Sequence, residues 1–191
     1  MSALPAPAVV QDERGLVAQL ARGDLSALGA LYDTYADDVR RFACRCLGGA
    51  DAADDLTHDV FLALVDAAKR YDPAFPVRAF VLGIAAKLVL RRRRRLELAA
   101  LWLRRLGDWL GTADRTNPED RAAAREELAR YAAALERLSA DKRITVILAD
   151  VEGLSGEQIA HALDIPVATV WSRLHYARAE LRARLGLRRK P

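Results

Sequence analysis

The 191-residue sequence has only two cysteines and no long hydrophobic run, and each shortage excludes a class of protein. Cys44 and Cys46 lie two apart, so on a helix they point to different sides and cannot easily bridge. No Cys/His cluster has zinc spacing. The longest apolar stretch, residues 79–90, contains Lys87 and is too short to cross a bilayer. Residues 1–10 lack the basic and apolar segments of a signal peptide. We therefore predict a reduced, cytosolic protein, with no metal, no cofactor and no membrane insertion.

Proline and glycine are also sparse, with 7 and 11 residues respectively. Alanine, leucine, arginine, aspartate and glutamate dominate instead, and this composition favours helix. No stretch shows the alternation of β-branched and polar residues that is typical of strands. Because 52% of the residues are hydrophobic, the chain can bury one large core or two small ones. The composition predicts an all-α fold.

The net charge of +4 is distributed unevenly. Residues 69–95 carry +8 and residues 165–191 carry +6, so the rest of the chain carries −10. Two basic segments on an acidic body indicate two contacts with a polyanion, and a separate contact through the acidic surface. A solvated arginine-rich surface is the alternative. This alternative explains scattered arginines better than it explains the five consecutive arginines at residues 91–95. One or two arginines are enough to complement the dipole at the end of a helix.

Residues 153–182 have the pattern of a helix-turn-helix. Ser155 and Gln158 have capping-box spacing, and residues 164–166 (DIP) end the first helix because the residue before proline avoids the helical region. The apolar stripe of the second helix is Val170, Leu174, Ala177, Leu181 and Leu185. The opposite face carries Ala168, Trp171, Ser172, His175 and Tyr176. In a helix-turn-helix this face enters the major groove of DNA. A helical hairpin that never touches DNA is the alternative.

Three helical segments precede this motif. Apolar residues repeat at helical spacing from Leu28 to Ala43, and residues 48–49 (GG) break the chain. A helix over residues 51–70 follows, with an acidic outer face. The third helix, residues 77–95, is apolar to Leu90 and then emerges as five arginines. Residues 96–110 are strongly apolar: they could pack on either half, bind a partner or lie at a membrane surface. Residues 111–118 are the candidate hinge.

The order and spacing of these motifs resemble the sigma-70 family of RNA polymerase sigma factors, in its extracytoplasmic-function (ECF) group. The resemblance rests on residues 31–35 (LYDTY), 51–61 (DAADDLTHDVF), 71–73 (YDP), 82–85 (LGIA) and 153–178. It implies two small helical domains joined by a linker. The implied parts are a tail (1–14), region 2 (15–95), a linker (96–120), region 4 (121–187) and a basic tail (188–191).

The resemblance also implies partners and sites: core RNA polymerase, through its β′ clamp helices and β subunit, and promoter DNA. An anti-sigma factor is an expectation at the level of the family. The implied polymerase-binding residues are Asp54, Asp55, His58, Asp59 and Phe61. The residues implied for the −10 element are Tyr71, Asp72, Phe80, Lys87, Arg91 and Arg94. Those for the −35 element are Ala168, Thr169, Trp171, Ser172, Arg173, His175, Tyr176 and Arg178.

Some positions depart from the family pattern. Phe80 stands where tryptophan is usual, and Trp171 and Tyr176 stand where cations are usual. Losing two phosphate contacts would flatten the salt dependence of DNA binding by about two units. The alternatives are a free-standing helix-turn-helix regulator that does not require polymerase, and a module that binds protein. An enzyme has little support, because His58, His161 and His175 lie on separate predicted helices and no nucleophile stands beside a base.

Overall fold

The structure, a computed structural model, describes residues 12–47, 50–107 and 130–186, and for residues 95–107 the backbone alone. Every regular element in these ranges is helical, which confirms the predicted all-α class. The helices are α1 (Glu13–Ala21), α2 (Ser26–Leu47), α3 (Ala50–Ala67), α4 (Val77–Gly107), α5 (130–136), α6 (Ala140–Val146), α7 (Gly156–Leu163) and α8 (Val167–Leu185). A 3₁₀ turn (Ala68–Arg70) continues α3, and a π turn (Ile147–Val151) continues α6.

Helices α1 to α4 form an N-terminal bundle. The apolar stripe predicted from residue 28 onward lies on α2, where Leu31, Val39 and Phe42 are fully buried. The apolar residues on the side of segment 51–70 away from its predicted acidic face are buried as well: Leu56, Val60, Phe61, Leu64 and Ala68. Helix α4 is buried through its first half, as its apolar composition predicts. All three helices predicted in this half are present, and their apolar residues face the core.

Two boundaries differ from the prediction. Helix α1 begins at Glu13, so the predicted tail is too long by two residues; its first eleven residues lie outside the described ranges. Helix α4 passes position 95, its predicted end, and continues to Gly107. No glycine, proline or capping residue separates the arginines from the alanine- and leucine-rich residues that follow, so nothing interrupts the helical hydrogen bonds. The predicted hinge and basic tail lie outside the described residues.

Helices α5 to α8 form a C-terminal bundle that contains the predicted helix-turn-helix. The Ser155 hydroxyl accepts from the Gln158 N–H at 3.2 Å, and Gln158 Oε1 accepts from the Ser155 N–H at 2.9 Å, so the capping box is present. Helix α7 ends at Leu163, and Asp164 adopts a left-handed backbone with φ of 58°. The stripe of α8 is buried at Val170, Leu174, Ala177 and Leu181, and half-buried at Leu185.

The two bundles pack against each other, chiefly through α4 and α7, and share one continuous core. Cys44 and Cys46 are both free thiols, and burial raises the pKa of the Cys46 thiol to about 12. No helix within the described ranges could cross a membrane. Those ranges also hold no group of three or more side chains able to bind a metal ion.

Candidate polymerase and DNA interfaces

Helix α3 presents an acidic face, which we define as Asp54, Asp55, His58 and Asp59. All four side chains are exposed, because the apolar residues of α3 turn to the opposite side. Arg40 pairs with Asp54 at 2.6 Å and Arg92 approaches Asp55 at 4.0 Å, but these pairs are exposed and contribute little. Asp59 has no ion-pair partner among the described residues. The face is therefore open and retains net negative charge.

Phe61 does not belong to this face. Its side chain is 4% exposed and belongs to the core of the bundle, and its ring centroid lies 4.7 Å from that of the exposed Tyr32. The polymerase contact that the resemblance implies for Phe61 conflicts with the inward position of this residue in the helical repeat. Leu62, by contrast, is 70% exposed beside the acidic face. Leu62 is not among the predicted residues, although a large apolar residue three positions after Asp59 was a visible signal in the sequence.

Helix α4 presents a basic face, which we define as Phe80, Lys87, Arg91 and Arg94. Lys87, Arg91 and Arg94 are exposed, while Phe80 is half-buried with its centroid 5.1 Å from that of Tyr71. The arginine run does not act as one unit. Arg93 turns inward and donates to the backbone carbonyl of Cys46 at 2.8 Å, near the C-terminal end of α2. Its positive charge therefore lies at the C-terminal end of α2, where a cation is favourable.

Tyr71 and Asp72 shape the loop that enters α4. The Tyr71 hydroxyl donates to the Phe75 carbonyl at 2.7 Å, and the Asp72 carboxylate accepts from the Ala74 N–H at 2.9 Å. Both side chains are half-buried. Their polar groups are thus occupied within the loop, so their contribution is to hold its shape beside Phe80.

Helix α8 presents a recognition face, which we define as Ala168, Trp171, Ser172, His175 and Tyr176. All five side chains are exposed, as the helical repeat predicts. Thr169, Arg173 and Arg178 are half-buried at its edges. Arg173 pairs with Asp141 at 3.2 Å, and Arg178 pairs with Asp150, which raises the pKa of its guanidinium. Both cations predicted to meet DNA are therefore already paired within the bundle.

The aromatic side chains of the recognition face have neighbours of their own. Trp171 is 52% exposed, and its indole covers Gly156 so closely that a Cβ there would lie 2.7 Å from the ring. The Lys142 ammonium lies 5.8 Å from the centroid of the Tyr176 ring, within the range of a cation–π contact. Trp171 therefore packs on the first turn of α7, a role that sequence reasoning could not assign.

Comparisons with known proteins match both halves of the chain to one family. Residues 31–98 match the family model of sigma-70 region 2, and residues 128–181 match that of sigma-70 region 4. The RNA polymerase sigma factor CnrH of Cupriavidus metallidurans is 34% identical over 180 residues, which cover 91% of this chain and 94% of CnrH. The ECF RNA polymerase sigma factor SigL of Mycobacterium tuberculosis is 33% identical over 172 residues, 88% of this chain and 94% of SigL.

Solved structures are similar as well. CnrH in complex with the cytosolic domain of CnrY matches with a TM-score of 0.62 and 30% identity, over 91% of this chain and 97% of that one. The sigma factor RpoE of Bartonella quintana, in complex with the anti-sigma factor NepR, shares the fold with a TM-score of 0.59 at 22% identity. These findings support a polymerase-associated factor and not a free-standing regulator. The chain belongs to the ECF group of RNA polymerase sigma factors.

Proposed function

We propose that each of the three surfaces of this sigma factor binds a different partner. The acidic face binds core RNA polymerase. The basic face binds the −10 element of the promoter, and the recognition face binds the −35 element. The observation that carries the proposal is the open acidic face of α3. DNA would repel such a surface, so a protein surface with basic groups is the partner that its charge favours. Leu62 adds an apolar contact beside it.

The basic face suits an unpaired DNA strand. Lys87, Arg91 and Arg94 are exposed along one side of α4 and can contact successive phosphates. Phe80, half-buried at the start of the same side, offers an aromatic surface on which an unstacked base can rest. We propose that Tyr71 and Asp72 contribute by holding the adjacent loop.

We also propose that the chain is divided into region 2 (15–95), a linker (96–120), region 4 (121–187) and a basic tail (188–191). We propose further that the protein acts in the bacterial cytoplasm as an initiation factor and catalyses no reaction itself. The two matched segments, 31–98 and 128–181, support this division. An anti-sigma partner is proposed from the similarity to CnrH, whose structure contains the cytosolic domain of CnrY. A protein that co-purifies with the chain and blocks its run-off transcription would establish that partner.

Reversing two charges on the acidic face tests the docking assignment. The double variant Asp55→Lys, Asp59→Lys should weaken binding to core polymerase at least ~100-fold, because like charges then meet across the interface. The measurements are co-elution with core polymerase and run-off transcription, with helicity checked by circular dichroism.

The matched control is Asp33→Lys, Asp37→Lys, which reverses an exposed pair at the same spacing on α2. It should bind core polymerase as the unmodified chain does. Equal binding by both double variants would reject the acidic face as the docking surface.

A further inference from the structure

Trp171 stands at the centre of the recognition face and is 52% exposed. We propose that its indole recognises thymine, by contact with the 5-methyl groups that thymines of the −35 element present in the major groove. This inference rests on the −35 role proposed for the recognition face, and it names the chemical group that the face reads. It makes Trp171 a specificity-determining residue.

The recognition face itself holds no lysine or arginine. Arg173 and Arg178 flank it, and each is paired with an aspartate of its own bundle. An arginine side chain is the group that most often reads guanine, because its guanidinium donates two hydrogen bonds to O6 and N7. The centre of this face has no such pair of donors, so its direct reading of bases depends on other contacts.

The indole is held in place before any ligand binds. A Cβ built on the buried Gly156 would lie 2.7 Å from Cζ2 of Trp171, 3.1 Å from Cε2 and 3.3 Å from Cη2. The six-membered ring therefore lies against the first turn of α7, while half of the residue remains exposed to solvent. A side chain that is already positioned loses little conformational entropy on binding, which favours its contact with a base.

Thymine presents a methyl group that an apolar side chain can contact in the major groove. This 5-methyl group projects beside the O4 acceptor, and no other base has it. Burying the methyl group against the indole removes apolar surface of both from water, which stabilises the complex. Ala168, exposed three positions before Trp171, offers a second apolar contact on the same side of α8.

A cation at the edge of the face favours DNA over a protein as its partner. Arg182 lies eleven positions after Trp171, which is three helical turns, or about 16 Å, along the same side of α8. Both residues line one surface cavity of about 500 Å³, together with Leu174, His175 and Arg178. An apolar centre and a cationic edge match a groove with thymine methyl groups on its floor and phosphates on its rim.

Removing single methyl groups from the DNA tests the proposal. The probe is a promoter fragment taken from those that the chain transcribes with core polymerase, with each thymine of the −35 element, on either strand, replaced in turn by deoxyuridine. Uracil keeps the base pair and the O4 acceptor and lacks only the 5-methyl group. Affinity of the holoenzyme should fall about fourfold at one or more positions. Deoxyuridine in the spacer between the two elements should change nothing, and the same lack of effect throughout the −35 element would refute the inference.

Variants of the chain assign the effect to the indole. Trp171→Ala should bind the thymine and the uracil fragment equally well, so the ratio of affinities falls from about four to about one. Trp171→Phe keeps an aromatic ring and should keep part of the ratio. Because the readout is a ratio within one variant, a loss of stability cannot imitate it. An unchanged ratio in Trp171→Ala would reject the indole as the reader.

Arg182→Ala is the matched control on the same side of α8. It should weaken binding to both fragments and leave their ratio as it is in the unmodified chain, because a phosphate contact carries no sequence information. A ratio that falls to about one in this variant as well would show that the effect is not specific to Trp171.

A scrambled −35 element separates this inference from the proposed function. If scrambling abolishes transcription but no deoxyuridine has an effect, the recognition face keeps its role and only the reading of thymine is wrong. If scrambling leaves transcription unchanged, the −35 role is itself wrong and the inference falls with it. Full activity of Trp171→Ala on every fragment would contradict contact with DNA and would leave a protein as the partner of this face.

Discussion

The contact between Trp171 and Gly156 lets a single residue affect the stability of the chain. The indole lies over the first turn of α7, and a Cβ at position 156 would sit 2.7 Å from it. Gly156→Ala should therefore destabilise the chain by about 1 kcal/mol, toward the low end for overpacking because the half-exposed ring can swing aside. Denaturant unfolding measures the change in free energy.

A double-mutant cycle identifies the cause of that loss. In a Trp171→Ala background the ring is absent, and Gly156→Ala should be neutral or stabilising because alanine is the better helix former. The same cost in both backgrounds would show that the backbone at position 156, and not the indole, requires glycine.

For single residues, the sequence predicts exposure but does not predict contact partners. The exposure of Trp171 and Tyr176 follows from a helical repeat of 3.6 residues, so the recognition face could be predicted. The partners of Arg173 and Arg178 could not, because Asp141 and Asp150 lie 32 and 28 positions earlier and are brought close only by packing of the helices. Local periodicity predicts which face of a helix a residue lies on, but it does not predict which residues of other helices that residue contacts.

At the scale of the element, the start of α7 depends on a short-range signal. Ser155 and Gln158 exchange hydrogen bonds at 3.2 and 2.9 Å, so two backbone N–H groups of the first turn are satisfied. Ser155→Ala should cost about 1 kcal/mol of unfolding free energy. Thermal or denaturant unfolding of the full chain measures it.

Ser172→Ala is the control for this substitution. Ser172 lies inside α8, where its hydroxyl donates to the Thr169 carbonyl at 3.0 Å and caps nothing. Alanine is the better helix former there, so the change should be neutral or slightly stabilising. Equal losses from the two serines would mean that the capping box does not stabilise α7.

Elements whose ends carry such signals were predicted closely, and those without them were not. The capping box and the residues before Pro166 define α7 to within a residue. Helix α4 has no stop signal after its arginines, so the boundary placed at position 95 was wrong. The approach of α7 to Gly83 and the burial of Glu152 beside Arg78 depend on how two distant segments pack, and no local pattern encodes them.

At the scale of the whole molecule, the distribution of charge determines how strongly DNA binding should depend on salt. Net positive charge is concentrated in two segments, yet on α8 the central positions Trp171 and Tyr176 are aromatic and Arg173 and Arg178 are paired internally. The recognition face should therefore make few phosphate contacts, and holoenzyme binding to promoter DNA should owe most of its salt dependence to the basic face of α4.

Adding cations to the recognition face tests this distribution. With Trp171→Arg and Tyr176→Arg together, the slope of log K against log salt for holoenzyme binding to a promoter fragment should steepen by about two units, because each new phosphate contact releases about 0.9 counterion. Leu25→Arg and Gly29→Arg together add the same two charges at exposed positions remote from α8, and they should leave the slope unchanged. A steeper slope for both variants would point to a general effect of net charge. An unchanged slope for the α8 double variant would mean that this face of α8 does not reach the DNA backbone, and another side of the C-terminal bundle would have to meet the −35 element.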